Sequence, residues 1–406
     1  MTNRMRNVSI LIFGVLVAGI FGVIMFHQLK HGDFPGYISY AREFSEVGYL
    51  YKVPHTLLER LIVIIRALLP ANILVWISPL AKQVYDIKAF EISTLILMVL
   101  VYCGVAWIIL RALLARWKIT ERPVLWFALA VTLLIMAVGP IFIFTYPQRM
   151  FVGYISPNRY DSPTYILFKP FVIQMFLGII DNLFEKWDWK KSILMCLAVV
   201  CATLSKPNFT LTIIPAVGIL LLFYLKKLKK VNWLYLIFAI GLPAFVVLLG
   251  QFVINYTGDR GDRLVLDPFR SILHYVPNLY VEVVFILLSI LFPLIVTIMN
   301  WKDVKGRLDF RLSWINFAIA LVIGLVLTEE INATNNNSWN SPMIAVFLLF
   351  LVTIIYYAEG MVTNYRANKR WLTKREILPM AVLILHLICG VIYYVATLQN
   401  TGIIVN

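Results

Sequence analysis

The sequence predicts an all-α, polytopic membrane protein with about eleven transmembrane helices. Three observations carry that expectation. Hydrophobic residues make up 61% of the 406 and charged residues only 14%, with a mean hydropathy of +0.83. A soluble domain averages about 45–50% apolar and about 25% charged. Apolar runs long enough to cross a bilayer recur along the whole chain, and no polar stretch is long enough to build a soluble domain. We therefore expect one integral membrane domain over residues 1–406.

Taken in order, the span-length runs are 8–26, 89–111, 123–145, 163–181, 231–254, 276–299, 312–328, 342–358 and 378–398. The stretch 192–224 is interrupted by Ser205-Lys206-Pro207-Asn208 and reads as two short helices, 192–204 and 209–224. The first run has a basic start like a signal peptide. Its apolar core is too long, and no small-residue cleavage site follows, so a retained helix is expected. Segment 57–80 is apolar but contains Glu59, Arg66 and Pro70. If it crossed, the basic runs Arg111–Arg122, Lys226–Lys230, Lys302–Arg311 and Arg366–Arg375 would face outward, against the positive-inside rule. An amphipathic helix lying on the outer surface is the expectation instead. The topology is then N-terminus cytoplasmic, C-terminus extracytoplasmic, in a cell membrane, with residues 27–88 as a long first outer loop.

The net charge of +15 is explained by short basic inner loops that set topology and touch anionic lipid, so no nucleic-acid partner is expected. Cys103, Cys196, Cys201 and Cys389 all lie inside apolar runs. They show neither metal-ligand spacing nor a disulfide framework. No cofactor is expected, and no His/Cys/Asp cluster has the spacing of metal ligands. No motif for a nucleotide phosphate follows a strand, which leaves nucleotide-sugar chemistry unsupported.

Chemistry-bearing residues gather in the outer segments. His31-Gly32-Asp33-Phe34-Pro35-Gly36 ends the first helix in a turn and presents a carboxylate at the membrane surface. There Asp33 suits a general base that takes the proton of a sugar hydroxyl. Tyr37, Tyr40, Ala41 and Phe44 recur at helical spacing, with Arg42, Glu43 and Glu46 off that stripe, so a short amphipathic helix is expected. Pro54-His55 opens the surface segment. In the second outer segment, Asn158, Asp161 and Pro163 mark a turn and a helix start, with Ser162 as its cap. Lys169 lies inside the following span, where an ionisable group is costly. Pro207 disfavours helical geometry at Lys206, which would place an ammonium beside a fresh helix N-terminus, a setting that favours an anion. Arg260 and Arg263 sit on a loop with Asp259 and Asp262. Glu329 and Glu330 precede the Asn332–Asn340 run, and Trp339 offers a stacking face for a glycan.

A first span, a loop opening on Asp, then D-x-x-x-Y-I-x-x-A-R-x-x-x-x-x-G and P-H before a surface helix resembles the GT-C superfamily of integral membrane glycosyltransferases. Asp33, Tyr37, Ala41, Gly48 and His55 are the matching positions. The likeness covers the first eighty or so residues in motif and the remainder in topology. It implies a polyprenyl-phosphate-linked sugar donor, a glycan or lipid-linked acceptor and an essential acid in the first outer loop. On that basis Asp33 is the expected catalytic base. Lys206, Lys169 and Arg159 are expected to bind donor phosphate, and His55, Tyr37, Arg42 and Glu329 to meet the acceptor or sugar. A lipid-glycan flippase or transporter, and an outer-face glycan polymerase or ligase, are the alternatives.

Overall fold

A computed structural model describes residues 3–48, 56–69, 82–143, 153–256, 264–329 and 337–399. Among them the regular secondary structure is helical apart from a short two-stranded ribbon. Helix α1 is Asn3–Gln28, α2 Phe34–Val47, α3 Leu57–Leu68 and α4 Lys82–Trp117. They are followed by α5, Arg122–Ala137, and α6, Pro163–Asn182. The chain continues through α7, Trp189–Ser205, α8, Asn208–Leu222, and α9, Leu242–Tyr256, which is entered through a π-helical turn at Tyr235–Gly241. After the strand β1 (Leu264–Leu266) come α10 (Arg270–Tyr275), α11 (Leu279–Ser289) and α12 (Leu291–Met299). Last are α13 (Leu308–Val326), β2 (Leu327–Glu329), α14 (Asn340–Asn368) and α15 (Ile377–Gln399).

Among the described residues seven helices are long and apolar enough to cross a membrane, or eight if α11 and α12, bent by 65° at their junction, count as one. This is a multi-pass membrane protein. The expected eleven spans are not reached by this measure, because α5, α7 and α8 are only 16, 17 and 15 residues long. At about 1.5 Å per residue they extend roughly 22–26 Å, short of a hydrocarbon core of about 30 Å. The expected break in 192–224 does occur. Lys206 leaves α7 in an extended conformation and Pro207 caps α8.

The bundle is arranged around α14. Almost every residue from Asn340 to Ala358 is buried, and α13, α12, α8 and α5 all pack against it. A helix apolar on all sides belongs in an interior. By contrast α1 leaves Leu11, Val15 and Phe26 exposed, as a helix facing lipid would.

The alternate connections gather at two ends. At one, Arg116 and Arg307 both pair with Asp309 (3.6 and 2.8 Å), and Arg366 pairs with Glu121 (3.4 Å) and donates to the Trp117 carbonyl (2.9 Å). At the other end, β1 and β2 pair antiparallel with Leu264 opposite Glu329, and the α1–α2 turn meets residues 159–164. Helices α2 and α3, 14 and 12 residues long, pack on each other there and are too short to cross. The amphipathic pattern of α2 differs from expectation. Its fully buried face is Phe34, Ile38 and Ala41, while Tyr37, Tyr40 and Phe44 are only partly buried, Phe44 beneath the guanidinium of Arg60 on α3.

Two contacts lock the interior. His386 of α15 approaches the Gly139 carbonyl with Nδ1 (2.7 Å) and accepts from the Phe292 amide with Nε2 (3.3 Å). That amide belongs to the first turn of α12, where no helical acceptor exists. In a membrane every such group needs an internal partner. One turn further along α15, Gly390 lies against Gly139 so closely that a Cβ on Gly390 would overlap the Ala137 carbonyl oxygen. Gly390→Ala should therefore destabilise the fold by about 1–3 kcal/mol or more through overpacking. Gly104→Ala, with nothing within 4 Å of the added methyl, should be neutral or gain about 0.5–1 kcal/mol from its helical position. Thermal unfolding of the two variants in detergent, read beside the parent, checks the contrast.

Candidate functional site

The site is built where the α1–α2 turn docks on residues 159–164. Gly32 permits this docking. Its φ is +58°, and a Cβ there would lie 2.9 Å from the Asp161 carbonyl oxygen. With no side chain in the way, the next amide, that of Asp33, donates to the same carbonyl (3.1 Å). Asp33 thus becomes the N-cap residue of α2, with Pro35 in the first turn. Its carboxylate caps no backbone amide and is about half exposed.

Arg159 is the hub beneath it. Nε and Nη2 donate to the two carboxylate oxygens of Asp161 (2.7 and 2.8 Å), Nη1 donates to Asn340 Oδ1 (3.3 Å), and Nη2 lies 3.9 Å from Asp33 Oδ2. Burial alone would lower the pKa of this guanidinium. Asp161, and less strongly Asp33, more than offset that and hold it above its ordinary value. Parallel bonds from a planar fork to one carboxylate are the strong form of this pair.

A second chain of contacts runs beside the first. Lys206, buried at the α7–α8 break, has Nζ 3.4 Å from Thr164 Oγ1, and the Tyr37 phenol hydrogen-bonds to Thr164 as well. Burial raises the Tyr37 phenol to about 12, against the lowering effect of the Thr164 bond and with small additions from Asp33 and Glu59. Asn208, the first residue of α8, donates to the Asn337 carbonyl (2.9 Å) and to Ser341 Oγ (3.1 Å), which ties the break to the start of α14.

Of the residues expected from sequence, Asp33, Tyr37, Arg159 and Lys206 come together. Lys169 does not join them. It is buried within α6, donates to Asn158 Oδ1 (2.8 Å) and lies over the rings of Tyr165 and Phe347. Asn158 in turn donates to the Ile135 and Val138 carbonyls (3.2 and 2.9 Å). The lysine thereby fixes the 153–163 segment on the end of α5. Arg42 is exposed on α2 and pairs with Glu46 at 4.0 Å, on a different side of the helix from Ala41. Glu329 ends β2. His55, Arg260, Arg263 and Glu330 lie outside the described residues. Two local expectations are corrected. Ser162 precedes α6 but its side chain caps no amide. Trp339 is buried, with its indole directed at the Tyr154 carbonyl (3.5 Å), so it offers no face to a glycan.

Sequence reasoning undervalued three residues. Asp161 and Asn340 fix Arg159, and nothing in their local sequence distinguishes them from loop polar residues. Glu59 is the third. It is fully buried on α3, and neither carboxylate oxygen has a hydrogen-bond partner. A lone glutamate inside an apolar run was the available signal. Among the described residues no cluster of His, Cys, Asp or Glu could hold a metal.

The class that fold and site define is a multi-pass α-helical membrane protein with a charged site at one end of the bundle. Compared with protein families, with curated proteins and with solved structures, this chain matches none of them.

Burial raises the Glu59 carboxyl from 4.5 to about 7. A carboxyl whose folded-state pKa is raised binds its proton more tightly in the folded protein. Its stabilising contribution is thus complete below about 4.5 and is lost as pH rises through about 7. Glu59→Gln should therefore match the parent near pH 4.5 and become progressively more stable than it between pH 5 and 8. Melting curves of both proteins across that range check the sign.

Proposed function

We propose that this chain is a GT-C-like, inverting glycosyltransferase that moves a sugar from a polyprenyl-phosphate donor to a cell-envelope glycan or lipid-linked acceptor. The observation that carries the reading is the meeting of one half-exposed carboxylate, Asp33, with the Arg159–Asp161 pair and the Thr164–Lys206 contact. In this reading Asp33 takes the proton of the acceptor hydroxyl as its oxygen attacks the anomeric carbon. The bond from that carbon to the phosphate oxygen breaks, and the departing phosphate is met by Lys206 and the N-terminus of α8. A preorganised cation and helix end at the developing charge are what such a step requires. Arg159, occupied by Asp161 and Asn340, holds Asp33 rather than the phosphate, and Lys169 acts through Asn158 on the same segment.

The lipid part of the donor also has a fitting surface. A cavity of about 500 Å³ lies among α1, α5, α14 and α15, lined by Phe21, Phe127, Tyr160, Tyr357, Leu383 and Tyr394 among others. Its lining is almost wholly apolar, and Tyr160 lies between Arg159 and Asp161 in the chain. On the same reading α2 and α3 rest in the outer interface, and the end carrying Arg116, Arg307 and Arg366 is cytoplasmic, in line with the positive-inside rule.

Asp33→Asn keeps the size of the side chain and removes its ability to accept a proton. Transfer should fall by about 10²–10⁴-fold, measured with purified protein and a synthetic polyprenyl-phosphate sugar, with the melting temperature unchanged. Glu43→Gln on the same helix is the control. A stable Asp33→Asn protein with near-parental turnover would remove the base from this reading. Lys206→Ala should raise KM for the donor by about 10–150-fold, the loss of a charge-assisted bond of about 1.5–3 kcal/mol. Arg42→Ala, an exposed pair of about 0–1 kcal/mol, should change it little. Equal donor KM in Lys206→Ala and the parent excludes a phosphate role for the lysine.

A further inference from the structure

Glu59 is a buried carboxyl that the scheme above leaves without a task. It sits on α3, which packs against α2, α4, α6 and α7, and neither of its oxygens meets a donor from another residue. An ionised carboxylate out of water and without a partner is costly, so a position like this persists where something else selects it. Its neighbours suggest what that is. Tyr37 lies on α2, which packs on α3; its phenol is within electrostatic reach of both Asp33 and Glu59 and lies beside Thr164, which Lys206 approaches. Tyr37 also meets Tyr40 edge to face, with ring centroids 6.0 Å apart. A carboxyl, a hydroxyl and aromatic faces in one place are the groups that bind a polyhydroxylated ring, since a carboxylate oxygen accepts from two adjacent hydroxyls while C–H faces lie on the rings.

Resting on the glycosyltransferase reading for the identity of the reaction, we propose that Glu59 is a substrate-binding residue whose carboxylate accepts hydrogen bonds from hydroxyl groups of the sugar. Tyr37, only partly buried, swings aside to admit the ring. Asp33 then faces the acceptor hydroxyl, Lys206 the phosphate, and Glu59 the sugar between them. The raised pKa of Glu59 falls in place once hydroxyl donors replace the missing water.

The test uses the full-length protein in detergent, with the variants Glu59→Gln and Glu59→Leu, and free hexoses and pentoses as probes. Without sugar, both variants should melt at or above the parental temperature at pH 8, since no contact is lost. With sugar, the parent should be stabilised by at least one of the probes, and both variants should lose most of that shift. In transfer assays with a synthetic polyprenyl-phosphate sugar, Glu59→Gln should raise KM about tenfold or more with kcat within about threefold. A deoxy analogue of the preferred sugar should be discriminated by the parent and not by Glu59→Leu. A sugar-dependent shift lost in the variants, in a protein that transfers nothing, sinks the glycosyltransferase reading and leaves this one standing. Active variants with parental KM and undiminished sugar shifts sink this one alone. Variants that melt well below the parent at pH 8, or a parent that responds to no sugar, also overturn it.

Discussion

The Arg159–Asp161 pair is the interaction on which the rest of this end of the molecule depends. It joins three parts of the chain that are far apart in sequence. Asp161 offers its carbonyl to Asp33 and its carboxylate to Arg159, while Arg159 reaches Asn340 at the start of the central helix α14. Taking two charges out of water is expensive, and the pair is sustained because the guanidinium fork meets its carboxylate with both bonds. Breaking one partner of such a pair typically costs about 3–5 kcal/mol, because the other charge is left buried and alone. The α1–α2 turn, and Asp33 with it, would lose its anchor at the same time.

A second constraint, the absence of water within a bilayer, explains the fold's irregular places. The chain interrupts its helices at 205–208 and at Ile290, and both breaks have their polar groups supplied from elsewhere. At the first, Thr203 and Thr210 share a hydrogen bond of 2.8 Å across the gap, and Gln251 donates to the Thr203 carbonyl (2.9 Å). At the second, His386 accepts from Phe292, and Ser289 accepts from the Ile155 amide (2.8 Å). Irregular backbone is tolerated at such depth where protein encloses it. The first break ends on Lys206, at the charged end of the bundle, and the second stays wholly inside. The same requirement thus yields part of the candidate site in one case and a structural joint in the other.

How much of the site could be read in advance follows from the range of the interactions involved. Asp33 stood out because Gly32, Pro35 and Gly36 around it are local turn chemistry, and Lys206 because Pro207 follows it. Lys169 was conspicuous for a sound reason, the cost of an ammonium in a span. Its destination, Asn158, is a contact between two elements that only packing creates. Glu59 gave the opposite result. Its one local signal, a charge within an apolar run, points to a surface position for 57–80, whereas its full burial comes from α2 and α4 closing over α3.

By itself the sequence determined that this is a multi-pass α-helical membrane protein, since hydropathy and length are properties of single segments. It determined the helix break at Lys206-Pro207 for the same reason. Tertiary structure decided which runs are long enough to cross. Helix α5 stops at Ala137, inside an apolar run that continues to 145, where Asn158 donates to the Ile135 and Val138 carbonyls and hydropathy registers no boundary. It also decided the company each charge keeps. Arg159 turns to Asp161 and Asn340, Lys169 to Asn158, and Glu59 to no donor from another residue, because ion pairing and burial depend on distances between elements that no single segment contains.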